Sequence, residues 1–179
     1  MSAFQVTLHW TELSRVDIQT DRFYDPAVDD VRSILSDACQ ALNDYGRFHI
    51  SGFGDASWPL DVATDLCVFV EQLPAAVAAI RQGKVAEIDL YEQGVERRLE
   101  ITPVDDHCTI ECTSSGSWVP DSETERLERD ALIGMLTTLL SDFMQALAVV
   151  APALAAHPWI LAWCKQRVNF NQARPTDDP

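Results

Sequence analysis

The run Val85–Ser115, VAEIDLYEQGVERRLEITPVDDHCTIECTSS, constrains the fold more than any other stretch of the chain. Ala86, Ile88 and Leu90 alternate with Glu87, Asp89 and Tyr91. Leu99 and Ile101 alternate with Arg98, Glu100 and Thr102, and Cys108, Ile110 and Cys112 with Thr109, Glu111 and Thr113. Successive side chains of a strand point to opposite faces, so each run reads as a strand with one buried face. Gln93-Gly94-Val95-Glu96 is a hairpin connection in which Gly94 is free to take positive φ. Pro103-Val104-Asp105-Asp106 is a turn, and Pro103, lacking a backbone donor, is expected to close its strand. The wet face of such a meander carries Glu87, Asp89, Glu100 and Glu111. Like charges on neighbouring strands oppose pairing. This is therefore either an ordinary solvated sheet face or one shaped by something besides stability.

The flanking segments supply the other elements. Phe4, Val6, Leu8 and Trp10 alternate as a first strand, and Arg47–Phe53 as a second. Thr11 to Tyr24 is polar and reads as a loop, with a short extended piece near Val16–Ile18. Asp25-Pro26 is expected to open a helix, Asp as N-cap and Pro in the first helical position. Val28, Val31, Ile34, Leu35, Ala38 and Leu42 follow at helical spacing, and Gly46 ends the segment. A second helix carries Val62, Leu66, Phe69, Val70 and Leu73. Pro74 should kink or restart it before Val77 and Ile80. Ser122 with Glu125 matches a capping box for a long helix bearing Leu132, Leu136, Leu139, Leu140, Phe143, Leu147 and Val150. Pro152 interrupts that helix, and His157-Pro158-Trp159 opens the last one, to about Gln166. The order β-α-β-α-β-β-β-α-α implies an α+β fold with one mostly antiparallel sheet of about five strands and helices packed on one face. Residues 1–168 form a single domain, and 169–179 a polar tail.

At 179 residues the chain is long enough for one substantial core. Its formal charge of −15 repels phosphate backbones and anionic membranes, so neither nucleic acid nor membrane is an expected partner, whereas a basic protein would be steered toward it. The five cysteines include no CxxC pair, and four fall on apolar faces. That usage fits reduced thiols in the cytoplasm. No basic stretch followed by an apolar core marks a signal peptide, and no apolar run reads as long enough to span a bilayer.

Catalytic signatures are missing. GxSxG, GxxxxGK[ST], GxGxxG and HExxH do not occur. Gly52-Phe53-Gly54 resembles a fragment of a glycine-rich loop, but no third glycine follows and Asp55 would repel phosphate. His9, His49, His107 and His157 are scattered. Glu87, Asp89 and Glu100 on neighbouring strands could serve as acidic metal ligands, yet Lys84 is the one lysine near them. No catalytic, cofactor-binding or metal-binding residue is assigned, and the chain is read as a non-enzyme. Trp58-Pro59 and Trp118-Val119-Pro120 each sit in a strand-to-helix loop. Each Trp either staples its loop to the core or anchors a partner.

The segments WPLDVATDL, EQLPAAVAAI, EIDLYEQGVERRLEI, CTIEC and SWVP, spread over residues 47–160, resemble a group of small bacterial proteins. Their acidic one-domain α+β style looks like the immunity proteins that accompany polymorphic toxins. The resemblance implies a cytoplasmic protein that binds a cognate, basic toxin domain and occludes its active site. The expected contact residues are Glu87, Asp89, Tyr91, Glu100 and Glu111 on the sheet, Glu92, Glu96, Asp105 and Asp106 at its turns, and Trp58 and Trp118. A metal-dependent or other enzyme with an unrecognised site and a non-catalytic scaffold or dimerisation protein are the alternatives.

Overall fold

The computed structural model describes residues 4–13, 22–92 and 94–165. The extended piece expected at 16–18 and the tail at 169–179 lie outside them. Among the described residues six strands form two antiparallel sheets. Strands β1 (Gln5–Trp10) and β2 (Gly46–Ser51) pair with each other, Val6 opposite Ile50 and Leu8 opposite Phe48. Strands β3 (Ala86–Leu90), β4 (Arg97–Val104), β5 (His107–Ser114) and β6 (Thr124–Glu128) form a meander in that spatial order. The helices are α1 (Val31–Leu42), α2 (Asp65–Arg81), α3 (Arg129–Val150), α4 (Pro152–Ala155) and α5 (Pro158–Lys165). The α+β class and antiparallel pairing agree with the sequence, but the strands divide into two sheets.

The inner face of the meander is the alternating apolar set. Ala86, Ile88, Leu90, Leu99, Ile101, Cys108, Ile110 and Cys112 are all buried. They share one core with α2 and α3, whose Leu66, Phe69, Leu73, Leu136, Phe143 and Leu147 are fully enclosed. Helix α3 also lies against β1, where the Trp10 indole donates to the Asp142 carbonyl at 3.2 Å. By length and composition α3 is apolar enough to cross a membrane, contrary to the sequence reading. Its stripe Leu132, Leu136, Leu139, Leu140, Phe143 and Leu147 is buried in the core.

A strand edge left open invites pairing with another chain. At the β3 edge, the Gln72 side chain of α2 acts as a substitute strand. Its Nε2 donates to the Asp89 carbonyl at 3.0 Å, and its Oε1 accepts from the Asp89 amide at 2.9 Å.

Three local expectations are corrected. Asp25 does not cap α1. It closes a turn of its own, accepting from the Ala27 amide at 2.9 Å, and α1 begins six residues later with Asp30 accepting from the Arg32 amide at 2.8 Å. Val28 is therefore 82% exposed. Pro103 does not end its strand: β4 runs to Val104, because β3 stops opposite Ile101 and leaves that side of Pro103 unpaired. Ser122 and Glu125 are no capping box. Residues 124–128 are strand β6, and the Glu125 carboxylate accepts from the amides of Phe4 and Phe53. That carboxylate clamps the start of β1 and the turn after β2 to the meander. Helix α2, for its part, spans Pro74 as one element.

Candidate partner interface

The register of the meander aligns its outward side chains in cross-strand rows. Glu87, Glu100, Glu111 and Thr124 form one row, with one residue from each strand. Directly opposed residues of an antiparallel sheet stand about 5 Å apart at Cβ, so three carboxylates are stacked side by side. The row above holds Asp89, Arg98 and Thr113, and the row below Thr102, Thr109 and Arg126. Beyond it stand Val104, His107 and Glu128. Glu87, Glu100, Glu111, Arg98, Arg126 and Glu128 are all exposed, so no helix covers this face.

The face is acidic but not uniformly so. Arg98 forms an ion pair with Glu87 across the β3–β4 ladder. Both side chains are about half exposed, so the pair is screened and worth little in stability. Strict alternation along β4 places Arg98 outward, whereas Arg126 reaches the face only because residues 124–128 form a strand rather than the start of a helix. Glu128 joins the face for the same reason. With Asp89 and Glu128 included, the face has three more carboxylates than guanidinium groups.

The turns extend the acidic surface at both ends. Glu92 and Glu96 flank the β3–β4 hairpin, with Gly94 at φ +102° and Glu96 at φ +46°. At the far end Asp105 and Asp106 form the two-residue β4–β5 hairpin, with Asp105 at φ +54°, a conformation that Asp tolerates better than most residues. The His107 ring nitrogen bonds the Asp106 carboxylate, which holds that exposed acid below its ordinary range. An eight-residue strand separates these ends by about 25 Å. Val85, Tyr91 and Val104 lie towards the ends of the strands and are each half exposed or more, so the face combines charge with apolar and aromatic contact area.

The two tryptophans pack against each other. Trp58 is 2% exposed and belongs to the core, so it stands as a staple rather than an anchor in this conformation. Trp118 is partly buried, with its ring centroid 6.0 Å from that of Trp58. The Arg97 guanidinium lies 4.4 Å from the Trp58 ring and 3.5 Å from the Trp118 ring. Arg97 is itself buried and pairs with Asp55 at 3.1 Å. Its Nε and Nη1, and the Trp58 indole nitrogen, have no protein acceptor. Sequence reasoning missed this cluster. The signal was available: Arg97 shares the parity of Leu99 and Ile101, so alternation points a charge inward.

The Gly52-Phe53-Gly54 segment is a tight reversal packed on protein. Phe53 is at φ +58°, a strained region for a bulky residue. A Cβ at Gly54 would come within 2.4 Å of Asp121, and one at Gly52 within 2.9 Å of the Phe4 backbone, so this loop has no room to cradle a phosphate. Among the described residues no group of three or more His, Cys, Asp or Glu is arranged to hold a metal ion. Glu87, Asp89 and Glu100 stand in ladder positions rather than converging. His9 and His49 border an open cleft of about 560 Å³ along β1 and β2, together with Arg47 and Asp61. His157 packs edge-on against Tyr24 and Trp159. No protein-family model, no curated protein and no solved structure matches this chain.

Proposed function

We propose that the protein is a non-catalytic inhibitor, an immunity protein that binds a basic toxin domain through the outer face of its four-stranded sheet and covers the toxin's active site. The observation that carries this reading is the exposed row Glu87–Glu100–Glu111, in which Arg98 pairs with Glu87 alone. Aligning three carboxylates costs stability, and the apolar core needs none of them. A basic cleft would compensate for that cost on binding. Clustered charge of opposite sign also raises the association rate. Tyr91, Val85 and Val104 supply the apolar contacts that charge alone lacks. The inhibitor would act in the cytoplasm, where such a toxin meets its target.

The test uses tagged wild-type protein and the variant Glu87→Gln/Asp89→Asn/Glu100→Gln/Glu111→Gln as baits in lysate of the native host. The expected outcome is a basic protein retained by wild type, released by salt, and lost from a variant with unchanged circular dichroism. Equal retention by the two baits would remove the proposed face.

A further inference from the structure

Strands β1 and β2 turn Val6, Leu8, Phe48 and Ile50 to the core. On their other face Thr7 stands opposite His49, and His9 opposite Arg47. Residues 57–62 form a second wall, and between the two runs the cleft of about 560 Å³, a usual size for a small-molecule site. Hydrogen bonds fix that wall in place. The Trp58 amide donates to the Ile50 carbonyl at 2.9 Å, the Leu60 amide to the Trp58 carbonyl at 2.9 Å, and His49 Nε2 bonds the Ala56 carbonyl at 3.1 Å. We propose that this cleft binds a small organic anion, its charged group held by Arg47, His9 and His49 and its apolar body laid against Trp58 and Leu60. This inference is independent of the role of the outer face of the meander.

The charge of the lining runs against that of the chain. The whole molecule carries −15, yet the cleft gathers an arginine and two histidines around a single carboxylate, Asp61. Asp61 is engaged elsewhere, since its Oδ1 accepts from the Thr64 amide at 2.6 Å. Arg22, Arg32, Arg97 and Arg98 are each paired with a carboxylate. Arg47 and His9 are exposed, and among the described residues neither side chain has a protein partner. Directly opposed residues stand about 5 Å apart at Cβ, so Arg47 and His9 can reach one group together, with His49 diagonal to His9. An unpaired guanidinium offers a fork of donors that matches carboxylate or phosphate oxygens. The acidic remainder of the chain is screened beyond about 8 Å at physiological salt. Trp58 adds an apolar wall, and its buried indole nitrogen is a donor that the protein leaves without an acceptor.

The test is isothermal titration of the full chain, at low salt, with phenyl phosphate, benzoate, phenol and benzylamine. The expected result is a single site for phenyl phosphate or benzoate with a Kd of about 1 mM or tighter, and no binding of phenol or benzylamine. The tighter of the two anions identifies phosphate or carboxylate as the charged group. Arg47→Gln should weaken that binding roughly 10- to 100-fold, and His9→Gln by a smaller factor. Both side chains are exposed and without a protein partner, so each variant should keep the circular dichroism and unfolding midpoint of wild type. In NMR spectra the imidazole signals of His9 and His49 should move on titration, while those of His107 and His157 stay in place. The proposal is overturned if neither anion binds, if phenol or benzylamine binds as well as the anions do, or if Arg47→Gln binds them as wild type does.

Discussion

Glu100 occupies the middle of the carboxylate row, with Glu87 on one side and Glu111 on the other, so Glu100→Gln removes two repulsions while preserving shape. Carboxylates on opposed residues are about 6 Å apart, and at that distance two unit charges in water repel by about 0.7 kcal/mol. The repulsion from Glu87 is partly offset by its Arg98 partner. The combined gain is therefore about 0.5–1 kcal/mol, or a rise in Tm of about 2–3 °C for a chain of this size. Urea or thermal unfolding at 20 mM and at 1 M sodium chloride measures it. The gain should appear at low salt and vanish at 1 M, where the Debye length falls to about 3 Å. Adding Glu111→Gln should gain less than that change gains alone, since the opposing charge is already gone. If Glu100→Gln destabilises, or stabilises equally at both salt concentrations, the row is not a site of stored repulsion.

Other consequences concern the core. Arg97→Ala should cost about 3–4 kcal/mol through a cavity and the loss of the Asp55 and tryptophan contacts. Arg97→Met, which fills the same space and removes two unpartnered donors, should cost less than about 1.5 kcal/mol in urea unfolding. Glu125→Ala strips the acceptor from two backbone amides, and should cost about 2–4 kcal/mol against a smaller loss for Glu125→Gln. Burial, opposed by the bond from the Asp61 amide, raises the Asp65 carboxyl above its ordinary range. The folded state thus binds that proton more tightly than the unfolded one, and stability declines as pH rises through the raised value. Asp65→Asn should flatten this decline in denaturation curves taken between pH 4 and 7.

Alternation over 86–113 was the most legible signal in the chain, and it placed every inward side chain of the three central strands correctly except that the inward Arg97 went unremarked. The residues that misled were those with two valid local readings. Asp25-Pro26 has the chemistry of a helix start and uses it to close a turn. Ser122 and Glu125 have capping-box spacing, but the amides that Glu125 satisfies come from Phe4 and Phe53, far away in sequence. Such partners have no local imprint. The candidate face was legible as a set of acidic positions. Its register, which sets Glu87, Glu100 and Glu111 side by side, depends on hairpin lengths that composition does not reveal. The offsetting Arg98 and Arg126 follow from that same register.

The most direct test of the account is the association rate between the protein and its captured partner, measured at several ionic strengths for wild type and Glu100→Gln. The wild-type rate should fall steeply with salt, exceed that of the variant at low salt, and converge with it at high salt. A rate indifferent to salt and to Glu100 would contradict the assignment of the outer sheet face to a basic partner.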